Sequence, residues 1–169
     1  MKKLIFPLIL IWLSSYNLYC QKFAYVDTDY ILNKMPEFKQ AQDKLDAFST
    51  DWQKEIENKY TEVEQMYRAY QKEQVLLTDD MKIKREEAII SQETIAKNLQ
   101  QKYFGAKGEL DTKRQELIGP IQDRIYEAIK KLAANNKYQV VFDSSSDLIM
   151  LYKNNNLDKS DKVLEIMGY

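Results

Sequence analysis

Acidic side chains are the main groups in this sequence that could bind a metal ion or transfer a proton. The sequence has no histidine and a single cysteine, so most nucleophile–base pairs and most zinc sites are excluded. It also has no glycine-rich loop that could hold a phosphate group. An active site would have to be built from carboxylates and tyrosines, so we expect neither catalysis nor a cofactor.

Two short acidic clusters have the spacing of metal ligands. Residues 27–29 (DTD) could bind a metal as a carboxylate pair, but they fit better as a strand-to-helix turn whose carboxylates cap backbone N–H groups. Residues 143–147 (DSSSD) alternate like the first ligands of a calcium loop. However, Leu148 stands where that loop requires glycine and Asn154 where it requires glutamate. We therefore predict two turns and no metal site.

The first 20 residues have the layout of a secretory signal peptide. Two lysines precede an apolar run from Leu4 to Leu13, which is too short to span a bilayer comfortably. We predict cleavage after Cys20 and export of the mature chain. The alternative is a lipid anchor on Cys20, which Tyr19 disfavours because lipoprotein processing normally accepts a smaller residue at that position.

Without this leader the chain has no cysteine, so packing or oligomerisation must hold it together rather than disulfides. Removing Lys2 and Lys3 leaves 23 basic against 26 acidic residues, a net charge of −3. That balance does not favour binding to nucleic acid or to an anionic membrane surface. No other stretch approaches membrane-spanning length, so we expect a soluble mature protein with no membrane span.

The centre of the chain has the pattern of two long helices. Residues 37–77 contain no glycine or proline, and the sequence then has Thr78, which can cap a new helix. The first apolar stripe comprises Phe38, Ala41, Leu45, Phe48, Trp52, Ile56, Tyr60, Val63, Tyr67, Tyr70 and Leu77. The second comprises Met81, Ala88, Ile95, Leu99, Tyr103, Ala106, Leu110 and Leu117, and ends at Gly119-Pro120.

An antiparallel coiled-coil hairpin over residues 37–119, with its tip near residues 77–80, would bury both stripes against each other. A single continuous helix would leave both exposed unless another chain covered them. Glycine costs about 1 kcal/mol relative to alanine inside a helix. We therefore predict hinge positions at Gly105, Gly108, Gly119 and Pro120, with simple local fraying as the alternative.

Residues 21–36 and 120–169 form a smaller, β-rich unit on either side of the hairpin. Strands are expected at residues 23–26, 138–142 and 148–152, with a short helix from Pro120 and a last helix capped by Ser160. The predicted fold class is therefore α+β. So small a core favours oligomerisation through its strands. The expected oligomerisation residues are Phe23, Tyr25, Val140, Phe142, Ile149 and Leu151.

Large aromatic residues make the first helix unusual for a tight two-helix seam. Tyr60, Tyr67 and Tyr70 lie on its stripe, and Met66 lies beside them. They could simply pack against the second helix. Alternatively, part of each ring stays accessible and offers apolar area with a polar tip to a loosely held client.

Three segments resemble the Skp/OmpH family of periplasmic chaperones for outer-membrane proteins. They are FAYVDTDYILNKMPEFKQAQDKLD near the mature start, GPIQDRIYEAIKKLAANNKYQVVFDSSSDLIMLY, and the closing LDKSDKVLEIMG. The coiled-coil middle matches in pattern more than in identity. The resemblance covers essentially the whole mature chain.

This resemblance implies a homotrimer in which strands from three subunits form a small β-barrel body. Three helical hairpins, or tentacles, would project from the body around a cavity that holds unfolded outer-membrane proteins without ATP. The clients would then pass to the membrane assembly machinery in a transient contact. The best-studied members of that family are strongly basic, whereas residues 37–119 here carry 14 basic and 17 acidic side chains. Client capture should therefore depend on apolar contact.

The alternative function is structural, namely a coiled-coil scaffold or spacer in the cell envelope. A scaffold should bind one folded partner stoichiometrically, whereas a holdase should accept many unfolded chains and ignore folded ones. An enzyme is the least favoured class.

Overall fold

The computed structural model describes residues 22–146 and 150–169. Residues 1–21, with the predicted leader and its predicted cleavage after Cys20, and residues 147–149, with Ile149, lie outside the described residues. The elements are β1 (Lys22–Val26), α1 (Thr28–Lys34), α2 (Pro36–Glu73), α3 (Asp79–Phe104), α4 (Glu109–Asn136), β2 (Tyr138–Asp143) and α5 (Ser160–Met167), with a turn of 3-10 helix at Asn155–Leu157.

Helices α2 and α3 run antiparallel and form the hairpin that the sequence predicted. Near the tip, Arg85 lies 3.3 Å from Glu73, and further from the tip Tyr103 donates a hydrogen bond of 2.8 Å to Glu55. The two residues of a cross-helix pair are thus 12 positions apart in sequence near the tip and 48 positions apart far from it. A single continuous helix through Thr78 is therefore excluded.

The tip forms because the second helix has its own capping residue. Helix α2 ends at Glu73, and the side chain of Thr78 accepts a hydrogen bond from the backbone N–H of Met81. Asp79 and Asp80 occupy the first turn of α3, where the helix dipole favours negative charge. The capping role predicted for Thr78 is confirmed.

The second side of the hairpin is interrupted between α3 and α4, at residues 105–108. A Cβ atom on Gly105 would lie 2.3 Å from the carbonyl oxygen of Gln101, and one on Gly108 would lie 2.8 Å from that of Tyr103. Lys107, between them, has a left-handed φ of 64°. The chain therefore turns so tightly against its own backbone that glycine is required at both positions.

The expected end of the second helix at Gly119-Pro120 is wrong, because α4 continues through both residues to Asn136. Pro120 removes one internal hydrogen bond of the helix. Apolar residues on both sides of the proline, Leu117 and Ile121 among them, pack against the same core. Their burial outweighs the lost hydrogen bond, and residues 135–136 are still helical.

The smaller unit, which we call the body, is built where α1, the end of α4 and α5 pack against the sheet. Strands β1 and β2 pair in parallel, with Phe23 opposite Val140 and Tyr25 opposite Phe142. The buried cluster behind the sheet comprises Val26, Ile31, Leu32, Met35, Ala41, Ile121, Ile125, Ala128, Leu132, Val163 and Leu164. The core therefore joins both ends of the chain to the base of the hairpin.

The third strand expected at residues 148–152 is not formed in its described part. Residues 150–152 have no strand structure, and the side chain of Leu151 is 97% exposed. The free side of β1 is instead occupied by a later segment, because Lys159 donates its backbone N–H to the carbonyl of Tyr25 at 2.9 Å. Among the residues that the structure describes, the sheet has two strands.

Ser160 has a different role from the predicted helix cap. Helix α5 forms as expected, but Ser160 is its first residue, and the capping position is Lys159. The buried Ser160 hydroxyl accepts a hydrogen bond from the Asp27 N–H at 2.9 Å and donates one to Asp158 at 2.6 Å. It therefore fixes α5 to the turn between β1 and α1.

Both acidic clusters act as turns, as far as they are described. Asp27 accepts a hydrogen bond from the Tyr30 N–H at 2.9 Å and caps α1. The Asp143 carboxylate accepts hydrogen bonds from the Thr28 hydroxyl at 2.6 Å and from the Ser145 N–H at 3.0 Å. Across residues 22–146 and 150–169, no group of three or more acidic side chains could hold a metal ion.

Replacing Asp143 by asparagine should destabilise the body in a pH-dependent way. Partial burial alone would raise the pKa of Asp143, but hydrogen bonds from Thr28 and Ser145 together hold that pKa below its usual value. A lowered folded-state pKa stabilises the fold above the unfolded pKa of about 4, and this contribution is lost as pH falls below it. We expect D143N to lower the free energy of unfolding by about 1 kcal/mol at pH 7.

Urea unfolding of the wild type and D143N at pH 7 and pH 3 measures this effect. The difference between the two proteins should be clear at pH 7 and should shrink at pH 3. An equal difference at both pH values would show that the carboxylate charge contributes nothing.

Candidate functional site

The seam between α2 and α3 is only partly closed. On α2, just Ala41, Leu45 and Ile56 are buried. Between and beyond them lie large aromatic rings that the partner helix does not cover, since Tyr60 is 37% exposed and Tyr67 is 51% exposed. The arm, by which we mean α2 and α3 together, therefore presents aromatic surface along its length.

The stripe predicted for α3 is shifted by one residue in its first half. Ala96 is fully buried, whereas its predicted neighbour Ile95 is 44% exposed and Met81 is 49% exposed. Ile83 and Ile90 are also exposed. Apolar residues lie on several sides of α3, so its hydrophobicity pattern could not identify the face that meets α2.

A groove of about 640 Å³ lies where the two helices leave the seam open. Its aromatic and aliphatic walls are Tyr60, Val63, Tyr67, Tyr70, Ile89 and Ile90. Its polar walls are Glu64, Glu86 and Glu93. This volume lies within the range of about 300–1,000 Å³ that is typical of ligand pockets, so the groove can accept several side chains of another chain.

A second groove of about 450 Å³ begins where the first one ends, with Tyr60 lining both. Its other walls are Gln53, Ile56, Glu57, Gln100 and Phe104. We call the two together the arm groove.

The tyrosine hydroxyls of the arm groove bond across to α3. Tyr70 donates to Glu86 at 2.5 Å, and this hydrogen bond is the main reason why the pKa of Tyr70 is raised above its usual value. Tyr60 donates to Gln100 at 3.3 Å. These bonds fix the two phenol tips and leave parts of the rings accessible.

The sequence-predicted client-binding residues separate into two groups. Tyr60, Tyr67 and Tyr70 come together in the arm groove, whereas Met66 is half-buried outside the groove lining. The sequence reasoning missed Ile89 and Ile90, which complete the opposite wall. A seven-residue repeat through Lys82, Ile89, Ala96 and Tyr103 could have placed Ile89 on the contact face, since all four are half-buried or buried.

An aromatic cluster braces the arm next to the break at residues 105–108. The rings of Trp52 and Tyr103 stack at 4.8 Å with an interplanar angle of 3°, and Phe48 stacks on Trp52 at 5.5 Å. Tyr103 is buried and its hydroxyl bonds to Glu55. The stack therefore connects α2 directly to the last turns of α3.

Replacing Tyr103 by alanine should loosen the arm at this point. The change removes a stacking interaction worth about 0.5–1.5 kcal/mol beyond its area. Trp12 and Trp52 are the two tryptophans, so in a chain lacking residues 1–20 the emission reports Trp52 alone. We expect a red shift in Y103A and faster amide exchange around residues 105–108.

The conservative variant Y103F serves as the control, because it keeps the ring and loses only the bond to Glu55. Its emission should resemble that of the wild type. Identical emission and exchange in Y103A and the wild type would show that the stack does not brace the arm.

The body presents a second uncovered surface, the outer face of its sheet. Phe23, Val140 and Phe142 lie there with 42%, 41% and 39% exposure, and the rings of Phe23 and Phe142 are 6.4 Å apart. Tyr25 shares this face but is 4% exposed, and its buried hydroxyl has no hydrogen-bond partner among the described residues. Of the other predicted oligomerisation residues, Leu151 projects into solvent.

No helix within residues 22–146 and 150–169 is long and apolar enough to cross a membrane.

Comparison with known proteins places this architecture in a family. No curated protein matches the sequence. A crystal structure of a protein from Caulobacter crescentus, described as a proposed outer membrane chaperone (OmpH-like), matches the fold with a TM-score of 0.67 at 12% identity. The match covers 89% of this chain and 86% of that one. The model of the family described as "Outer membrane protein (OmpH-like)" matches residues 22–167, and the chain therefore belongs to the OmpH-like family.

Proposed function

We propose that this protein is a periplasmic chaperone that holds unfolded outer-membrane proteins without ATP and prevents their aggregation before membrane assembly. The observation that carries the proposal is the arm groove, in which tyrosine rings stay partly exposed between two helices that could have closed over them. The structural neighbour from Caulobacter crescentus is itself described as a proposed outer membrane chaperone.

Binding in such a groove is weak at each contact and strong in sum. When a client covers an exposed tyrosine ring, the ring buries a large apolar area and loses little conformational entropy, because it has few rotatable bonds. Its hydroxyl can also form a hydrogen bond with a polar group of the client. Because the groove is open along its length, it does not require one particular client sequence. One segment of an unfolded client can therefore leave the groove while another segment binds. Release then needs only a competing site at the membrane, in transient contact with the assembly machinery, and no nucleotide.

The proposed active form is a homotrimer joined at the outer face of the sheet. Phe23, Val140 and Phe142 offer the uncovered apolar area, and the resemblance to the Skp/OmpH chaperones supplies the number three. Three arms would then surround one cavity, with their grooves available to a client inside it. The leader at residues 1–20 would direct the chain to the periplasm and be removed after Cys20.

Flexing of the arms is proposed to adapt the cavity to clients of different size. The break at Gly105 and Gly108 provides the joint, because it separates α3 from α4 without a regular hydrogen-bonded helix. Gly119 and Pro120 lie inside α4 and would contribute only a softer point in a continuous helix.

A porin unfolded in urea and diluted into buffer tests the proposed function. With one mature trimer per porin, light scattering should stay near the level of buffer alone, and without it the porin should aggregate. The folded porin should not bind in sedimentation experiments. Unchanged aggregation, or stoichiometric binding of the folded porin only, would contradict a holdase.

A further inference from the structure

The arm groove has polar walls of a single charge sign. Its carboxylates are Glu57, Glu64, Glu86 and Glu93, and no lysine or arginine lines either part of it. This is not a consequence of overall composition, because residues 37–119 include 14 basic side chains. Those cations lie outside the groove lining.

The length of the groove suits an extended chain. From Gln53 to Tyr70 it follows α2 for about 25 Å at 1.5 Å per residue. A strand-like segment advances about 3.3 Å per residue, so roughly seven or eight residues would lie along it. Tyr60 sits where the two parts of the groove meet and would contact the middle of such a segment.

The carboxylates differ in how strongly they can attract a cation. Glu64 and Glu93 pair with Arg68 and Lys97, whose side chains are 70% and 64% exposed. Those pairs lower the attraction of the two carboxylates for a bound chain. Glu86 instead accepts a hydrogen bond from the Tyr70 phenol and forms no ion pair among the described residues.

Aromatic faces strengthen the same preference. The tyrosine rings of the groove carry negative potential above their planes and attract ammonium and guanidinium groups. A lysine or arginine can lay its apolar stem along Ile89 or Val63 and keep its charged end near a ring and a carboxylate. A glutamate in the same place would be repelled by the groove carboxylates and by the ring faces.

We propose that the arm groove selects extended client segments in which lysine or arginine lies among apolar side chains, and that it disfavours acidic segments. The inference rests on the proposed function, because it assigns a preference to the same site. It distinguishes this chain from a chaperone that captures acidic clients with basic arms.

Three capped peptides of equal length test the preference. Each alternates tyrosine and valine with a variable residue, which is arginine, serine or glutamate, and carries a neutral fluorophore. Fluorescence anisotropy with the mature protein should give about 3–10-fold tighter binding for the arginine peptide than for the serine peptide. The glutamate peptide should bind weakest, and added salt should reduce both differences.

Two charge-matched double variants locate the effect. E57Q/E86Q should reduce the preference for arginine over serine to less than about twofold. D51N/E87Q changes two exposed carboxylates outside the groove lining, and it should keep the wild-type preference. Gln can still accept the Tyr70 hydrogen bond, so neither variant should disturb the fold.

Equal affinity for the three peptides, tighter binding of the glutamate peptide, or equal effects of the two variants would overturn the inference. Dilution of the protein separates its copies from each other. If the peptides then bind more tightly, a second copy of the chain fills the groove, and this result would also overturn the inference. If the protein keeps the porin soluble but binds the three peptides equally well, the charge preference is wrong and the proposed function still holds. Failure to protect the porin would remove the proposed function whatever the peptides show.

Discussion

Replacing Leu132 by alanine should lower the free energy of unfolding by about 2–5 kcal/mol, which is the usual cost of emptying a buried leucine site. Leu132 is 1% exposed and belongs to the cluster that joins α4 to α1 and α5. The residues around it come from both ends of the chain, so they cannot close the cavity without moving whole helices. Urea unfolding followed by circular dichroism measures the loss.

Leu76 provides the matched control, because the same truncation at the tip of the arm removes a side chain that is 85% exposed. L76A should change the free energy of unfolding by less than about 0.5 kcal/mol. Similar losses in L132A and L76A would mean that the body core does not determine stability.

Replacing Phe142 by aspartate should convert the proposed trimer into monomers. The ring of Phe142 lies on the uncovered sheet face, and a carboxylate buried there without a partner would cost several kcal/mol at each interface. Sedimentation velocity should show three chains per particle for the mature wild type and one for F142D. The far-ultraviolet circular dichroism should remain helical, because α2 and α3 pack within one chain.

Tyr126 provides the control for this surface. Its side chain is 63% exposed on α4, the helix that packs against the opposite, core-facing side of the sheet, so Y126D should remain trimeric. A wild type that sediments as a monomer, or an F142D variant that stays trimeric, would contradict assembly through the sheet.

Local capping and turn signals in the sequence predicted much of the fold correctly. Thr78 caps α3 and Asp27 caps α1, because each cap depends on hydrogen bonds within a few residues. The antiparallel hairpin followed from two apolar stripes separated by one capped break.

Features that depend on distant parts of the chain could not be predicted in the same way. Pro120 normally ends a helix, but here Leu117 and Ile121 share one core and hold α4 together across it. The place beside β1 is taken by Lys159, which is far from β1 in sequence. The residues next to Pro120 and next to Lys159 in the sequence do not indicate either of these arrangements.

The candidate site was predictable on one helix and not on the other. Tyr60, Tyr67 and Tyr70 stand out because their rings are too large for a tight seam. Helix α3 has apolar residues in several directions, so the register that brings Ile89 and Ile90 to the groove emerges only when the two helices are packed.

Site-specific photocrosslinking tests the central claim most directly, with a photoreactive amino acid placed at Tyr67 in the arm groove or at Lys162 on the exposed side of α5. Tyr67 is 51% exposed, so a client in the groove would lie within reach of the probe. We expect strong crosslinks from position 67 to an unfolded porin, weak ones from position 162, and none from either to the folded porin. Crosslinks that are as strong from position 162 as from position 67 would contradict client binding in the arm groove.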